Sequence, residues 1–324
     1  MPRDAELDQP DLEHPFAQYV RTLGRGPGRS RALTREEARS ALGMVLRGEA
    51  DPLQVGALLV LLRYRGEDPD EIAGLVEAAR THAGLPVSLS ADLDWPSYGA
   101  GRTRGAPWYL LAALALARAG FRVLMHGSNA HTSGVPVGEA LRLLGMRPAA
   151  DWADAAGMLE QGGFAYIPLT AFNPDLGRLL HLRSLLGLRS PINTVARLLN
   201  PADAPSSVDG VFHPPYIDLH LEAAARLGRR RLLVVKGGGG EAERNPARPM
   251  SAHVLAGSDR SELNCGPLVS GRVGPADVVE TWERAETAQT PTVTATIGLA
   301  LLALGAARDP GEADIRAHEI WAGR

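Results

Sequence analysis

Apolar positions along the chain fall into two regimes. From Phe16 to His82 they recur at helical spacing, and beyond Leu85 short apolar runs of strand length alternate with longer helical stretches. In the first regime Phe16, Tyr19, Val20 and Leu23 share one helical face, and the glycine-rich segment from Gly24 to Gly28 ends that helix. Thr34 to Glu37 reads as a capping box that opens a second helix, running to about Arg47. Asp51-Pro52 and Asp68-Pro69 open two more, the last ending near His82. Short helices in this arrangement make a small all-helical module. From Leu53 to Leu62 the third helix is apolar nearly all round, more than so small a module buries internally, so a homodimer through this module is expected.

In the second regime Phe121–Met125, Phe164–Ile167, Val208–Phe212 and Arg231–Val235 read as short strands, and Trp108–Ala119, Pro136–Leu144 and Tyr216–Leu227 as helices. This alternation predicts an α/β fold built on a mixed sheet. A helical excursion from Pro174 to Leu199 closes at Asn200-Pro201, and the tail carries a hairpin region (Met250–Val273) and two helices, Asp277–Thr287 and Thr292–Ala306. The expected organisation is a flexible lead-in (1–15), a helical domain made of 16–85 with 172–202, and an α/β domain made of 86–171 with 203–324. The binding cleft is expected between the two domains.

One stretch concentrates the chemistry. Leu232 to Val235 reads as a buried strand that runs into Gly237–Gly240, and in open α/β sheets ligands bind at that strand edge. Backbone amides of such a loop, with no Cβ in the way, suit phosphate. Lys236 stands at its entrance, with Arg244 and Arg248 at its exit, and the expectation is that these three line one groove with Arg189.

Composition narrows the classes. The chain has 324 residues, enough for a sizeable core without staples. Its single cysteine, Cys265, excludes an internal disulfide framework. The longest apolar run, Tyr109 to Ala117, is far short of a bilayer span, and the acidic, polar N-terminus lacks a signal-peptide core, so a cytoplasmic protein that makes no membrane contact is expected. A net charge of −3 argues against generic polyanion binding, yet arginines cluster in 178–197 and 226–248, which predicts a local basic face. His131, His181 and His213 have no zinc-ligand spacing with one another or with Cys265, and Ser133 has no base nearby for nucleophilic catalysis.

The order of elements together with Gly187-Leu188-Arg189-Ser190-Pro191-Ile192-Asn193-Thr194 and Leu199-Asn200-Pro201 resembles the anthranilate phosphoribosyltransferase family and its G-I-R-T-x-x-N-x-x-x-P-L-T-N-P run. The resemblance implies a phosphoribosyltransferase/nucleoside phosphorylase-like fold and covers nearly the whole chain from Phe16. Its catalytic motifs depart from the family's. Tyr98-Gly99-Ala100-Gly101-Arg102 stands where the family has a G-T-G-G-D loop for pyrophosphate, and Met125-His126-Gly127-Ser128-Asn129 where it has K-H-G-N-R. The family's Asp-Glu pair for magnesium aligns with Gly240-Glu241, which leaves Glu241, with Glu243 nearby, as the candidate metal carboxylate. This altered set is similar to the YbiB-type branch of the family, whose members bind nucleic acid as dimers.

The resemblance therefore implies a catalytically degenerate homologue that binds DNA or RNA with little sequence preference and needs no cofactor. Its phosphate-binding candidates are Gly99, Gly101, Arg102, Arg104, His126, Arg183, Arg189, Arg197, Lys236, Arg244 and Arg248. Among Trp95, Tyr98, Trp108 and Tyr109, an exposed ring would stack a base and a buried one would be core. The alternative is a working transferase that uses phosphoribosyl pyrophosphate and magnesium on another acceptor, and a nucleoside phosphorylase is a third reading.

Overall fold

The computed structural model describes residues 13–26, 28–85, 89–99, 105–128 and 134–324. The chain opens with helices α1 (Ala17–Gly24), α2 (Arg35–Leu46), α3 (Pro52–Arg65) and α4 (Pro69–His82). The capping box read from sequence, Thr34 with Glu37, is formed, and the structure adds two more at the Asp-Pro helix starts: Asp51 with Gln54 and Asp68 with Glu71. Glu71 does double duty, because its buried carboxylate also accepts the Leu33 amide at 2.7 Å and so ties the start of α4 to the entry of α2. Helices α2 and α4 approach so closely that a Cβ on Gly74 would lie 2.1 Å from the Arg35 carbonyl.

An α/β unit follows: β1 (Leu93–Ser97), α5 (Trp108–Arg118), β2 (Val123–Gly127), α6 (Val137–Leu143), α7 (Trp152–Gly162) and β3 (Phe164–Pro168). The excursion comprises α8 (Leu169–Phe172), α9 (Pro174–His181), α10 (Arg183–Leu186) and α11 (Ile192–Arg197). The chain then returns through β4 (Ser206–Val211), α12 (Pro215–Arg226), β5 (Arg231–Lys236), β6 (Met250–Ala256), β7 (Asp259–Cys265), α13 (Val278–Glu283), α14 (Thr290–Leu304) and α15 (Pro310–Ala322). Helices α7 and α15 are additions to the sequence reading. Asp309-Pro310 is the same start signal as Asp51-Pro52, and Asp309 caps α15 by accepting the Glu312 amide at 3.0 Å. Helix α13 stops at Glu283, short of the expected Thr287, because Arg284 turns to extended backbone.

The seven strands form one mixed sheet in the order β3-β2-β1-β4-β5-β6-β7, with β1 to β5 parallel and β6 and β7 an antiparallel hairpin. Strand β5 shows how the core is divided. Leu232 and Val234 face a cluster continuous with the N-terminal helices, whereas Leu233 and Val235 face a second cluster built with α5, α14 and α15. The helical module thus packs against the sheet layer on one face and shares its core with it. The excursion is pinned where it rejoins the sheet: Arg80 donates to the Leu199 and Asn200 carbonyls, and Arg229 to those of Leu198 and Leu199 at 3.0 Å. Burial on that spot pushes the Arg229 guanidinium down to about 10.

Among the described residues no helix is long and apolar enough to cross a membrane.

Candidate functional site

The strand order reverses between β1 and β4, since β2 and β3 lie on one side and β5 on the other. Such a reversal opens a crevice at the C-terminal strand edge. Here the two strands pair only at Leu93–Ser206 and Asp94–Ser207, then diverge. The glycine turn after β5 drops into this crevice. Gly237 admits the chain because a Cβ there would meet the Glu241 carbonyl oxygen at 1.6 Å, and Gly240 holds φ +83° against the Arg197 guanidinium.

The turn separates two cavities. The first, about 180 Å³, lies on the side of the helical excursion; Arg63, Arg189, Arg197 and His213 line it together with Phe212 and Tyr216. Among the described residues no carboxylate lines it. Arg197 is only 7% exposed and is held by a chain of contacts: its Nη2 donates to the Tyr98 carbonyl at 2.9 Å, and the Tyr98 hydroxyl meets Nδ1 of His126 at 2.7 Å. Nε2 of His126 lies 3.2 Å from Asp94, at the base of β1. Burial lowers the Arg189 guanidinium from its usual range, and the neighbouring charges of Arg183, Arg197 and Arg63 lower it further. Its guanidinium lies 5.8 Å from the centre of the Phe212 ring. Arg63 shares its charge with Glu67, 3.5 Å away.

The second cavity, about 590 Å³, opens on the far side of the turn, where Trp108, Arg248, Arg272 and the start of α14 line it. Glu243 is the one carboxylate among its described lining residues, and it accepts the Tyr109 amide at 3.2 Å. That contact puts a negative group at the N-terminus of α5, the position a helix offers to an anion.

The candidate residues separate accordingly. Arg189 and Arg197 come together in the first cavity, with Arg183 close enough to act on the charge of Arg189. Arg248 lines the second, and Lys236 is exposed at the end of β5. The expected single groove is therefore divided by the glycine turn. Arg244 requires a correction, since its side chain points inward: 1% exposed, it donates to Asp314 at 2.6 Å and to the Gly266 carbonyl at 2.8 Å. His126 requires another, being fully buried between Tyr98 and Asp94, where no ligand anion reaches it. Gly99 is buried, and a Cβ on it would lie 2.3 Å from Oε1 of Glu241, so this carboxylate is walled beneath the loop, where it does not open onto either cavity. Trp95, Tyr98, Trp108 and Tyr109 are all core, none more than 5% exposed. Gly101, Arg102 and Arg104 lie outside the described residues.

Sequence reasoning missed Arg63, Phe212 and Arg272, and weighed His213 only as a metal ligand. Phe212, 45% exposed at the end of β4, carried a findable signal: an aromatic just past a strand at the ligand-binding edge.

Comparison with known proteins agrees with this architecture. The helical bundle domain of the glycosyl transferase family matches residues 17–83, and the a/b domain of that family matches residues 109–268. The chain is 31% identical over 242 residues to YbiB of Escherichia coli (strain K12), covering 72% of this chain and 74% of that protein. It is 30% identical over 257 residues to the anthranilate phosphoribosyltransferase of Methylorubrum populi, covering 79% and 75%. Among solved structures, anthranilate phosphoribosyltransferase from Thermus thermophilus superposes with a TM-score of 0.76 at 26% identity, over 95% of this chain and 94% of that one. The Saccharomyces cerevisiae enzyme in complex with PRPP and Mg shares the fold, with a TM-score of 0.76 at 17% identity over 96% and 94%. Matched in both domains and along most of the length of these relatives, the chain belongs to the glycosyl transferase family that includes the anthranilate phosphoribosyltransferases.

Proposed function

We propose that this protein uses the phosphoribosyltransferase fold to bind nucleic acid with little sequence preference, and that it transfers phosphoribosyl groups very slowly or not at all. The observation that carries the reading is the cavity at the strand-order reversal, where Arg63, Arg189, Arg197 and His213 gather with no carboxylate among the described lining residues. In a chain of net charge −3 such a concentration of arginine is a local device for a polyanion backbone. Exposed Lys236 and Arg248 extend the positive surface around the glycine turn.

The carboxylates support the second half of the reading, because they do not fit a magnesium–diphosphate site. Glu241 is walled under Gly99 and Glu243 already occupies the α5 N-terminus, so the pair does not converge on one open position.

Replacing Arg189 by alanine should weaken binding of a labelled single-stranded oligonucleotide by about tenfold, and by the same factor for unrelated sequences. Equal affinity in the variant, or an effect confined to one sequence, would remove Arg189 from the interface.

A dimer through the helical domain belongs to the same proposal. Leu53 and Tyr64 on α3 are 84% and 87% exposed, with Ala57 and Val60 between them at helical spacing, and Leu185 of α10 is 80% exposed. Such an apolar face on a charged protein is suited to covering by a second copy. Light scattering at micromolar concentration should return twice the 34.4 kDa chain mass; a monomer mass would count against it.

A further inference from the structure

Phe212 is an aromatic that the fold leaves open. It follows the last residue of β4, at the edge where the strand order reverses, and is 45% exposed. Its backbone is held in place. Val211 pairs with Lys236 in the parallel register of β4 and β5, and the Gly237 amide donates to the Val211 carbonyl at 2.9 Å. The glycine turn passes so close that a Cβ on Gly240 would lie 3.5 Å from the Phe212 nitrogen. A single exposed aromatic is ordinary on a protein surface. This one stands at the ligand-binding strand edge and among cations. The Arg189 guanidinium lies 5.8 Å from its ring centre, a cation–π distance, and Lys236 ends the neighbouring strand. The His213 ring meets it edge-on, with centroids 4.8 Å apart at 89°. Nearby Tyr216 differs, being half-buried with its hydroxyl donated to Glu67 at 3.1 Å.

We propose that Phe212 is a stacking platform for an unpaired base, so that the protein takes single-stranded nucleic acid in preference to duplex. The inference rests on the nucleic-acid reading above, and it adds the form of the nucleic acid and the residue that selects it. Each nucleotide joins a flat base to an anionic phosphate. The site matches that pairing, with an open ring beside an arginine. In a duplex the neighbouring pairs cover both faces of a base, which reaches the ring only after it is unpaired and unstacked. A single strand presents its bases without that cost. The phenyl ring has no hydrogen-bonding group and every base has a π face, so the platform is tolerant of sequence. This agrees with binding that has little sequence preference.

The test titrates one labelled oligonucleotide as a single strand, as the blunt duplex of the same sequence, and as an abasic strand that keeps the phosphates and lacks the bases. Native protein should bind the single strand about tenfold tighter than either of the others. Phe212→Ala should weaken single-strand binding by about tenfold and leave the other two ligands within about twofold. The ring carries no charge, so the slope of log affinity against log salt should stay the same in Phe212→Ala, and Phe212→Trp should restore the native affinity. Equal native affinity for the three ligands overturns the platform and leaves the nucleic-acid reading in place. So does a Phe212→Ala protein that binds the single strand as the native protein does, that weakens on all three ligands alike, or that flattens the salt slope, which would mean that the ring only positions Arg189. No binding of any ligand at low salt overturns both readings. The comparison of single strand, duplex and abasic strand is made on the native protein, so it decides the matter even if a variant fails to fold.

Discussion

Supplied with anthranilate, phosphoribosyl pyrophosphate and magnesium, the protein should turn over at least about 10⁴-fold more slowly than a working member of its family. The departing pyrophosphate needs charge stabilisation, and a single preorganised donor is typically worth about 10² to 10³ in rate. The two loop cations that the family resemblance leads one to expect, the lysine and arginine of K-H-G-N-R, are Met125 and Asn129 here, and the structure turns His126 away into the core. The expected aspartate of the glycine loop is Arg102, and the Asp-Glu pair is Gly240-Glu241. Glu243 brings a negative charge to the α5 N-terminus, where it repels a second anion. Anthranilate consumption followed by fluorescence settles the point: an ordinary rate of about 1 s⁻¹ or more would show that the loops have been misread.

Arg244→Ala should lower unfolding stability by about 3 kcal/mol, while Arg248→Ala, only four residues on, should change it by less than about 0.5 kcal/mol. The two arginines look alike in the sequence. Arg244 is 1% exposed, and its removal strands Asp314, whose side chain is 18% exposed, together with the Gly266 carbonyl. Breaking a buried pair from one side leaves an uncompensated charge, which is the costly case. Arg248 is exposed and has no such role. Urea midpoints of the two variants measure the contrast; equal midpoints would mean that the Arg244–Asp314 pair contributes no more than a surface charge.

That contrast also marks where the sequence stops being legible. Helix starts were readable because Asp-Pro and Thr-x-x-Glu act locally, and the strands because Leu232–Val235 is short, apolar and closed by glycine. The direction of a charged side chain is set by distant partners: nothing near Arg244 announces Asp314, 70 positions later. His126 likewise reads as a loop residue until the parallel pairing of β1 and β2 brings it beside Asp94. The crevice itself arises from β1 and β4 pairing at only two positions, a consequence of the chain order in the sheet that no local pattern encodes. Arg63 joins the site for the same reason, since it lies on the third helix and far in sequence from every other residue of the cavity.

The central claim, nucleic-acid binding by cations around the glycine turn, is tested most directly by titrating a labelled oligonucleotide at several salt concentrations with the native protein and with the Lys236→Ala/Arg248→Ala double variant. Log affinity should fall linearly with log salt, by roughly 0.7 to 0.9 for each phosphate neutralised, and the double variant should flatten that slope by up to about two. No binding at low salt, or the same slope in both proteins, would contradict the account.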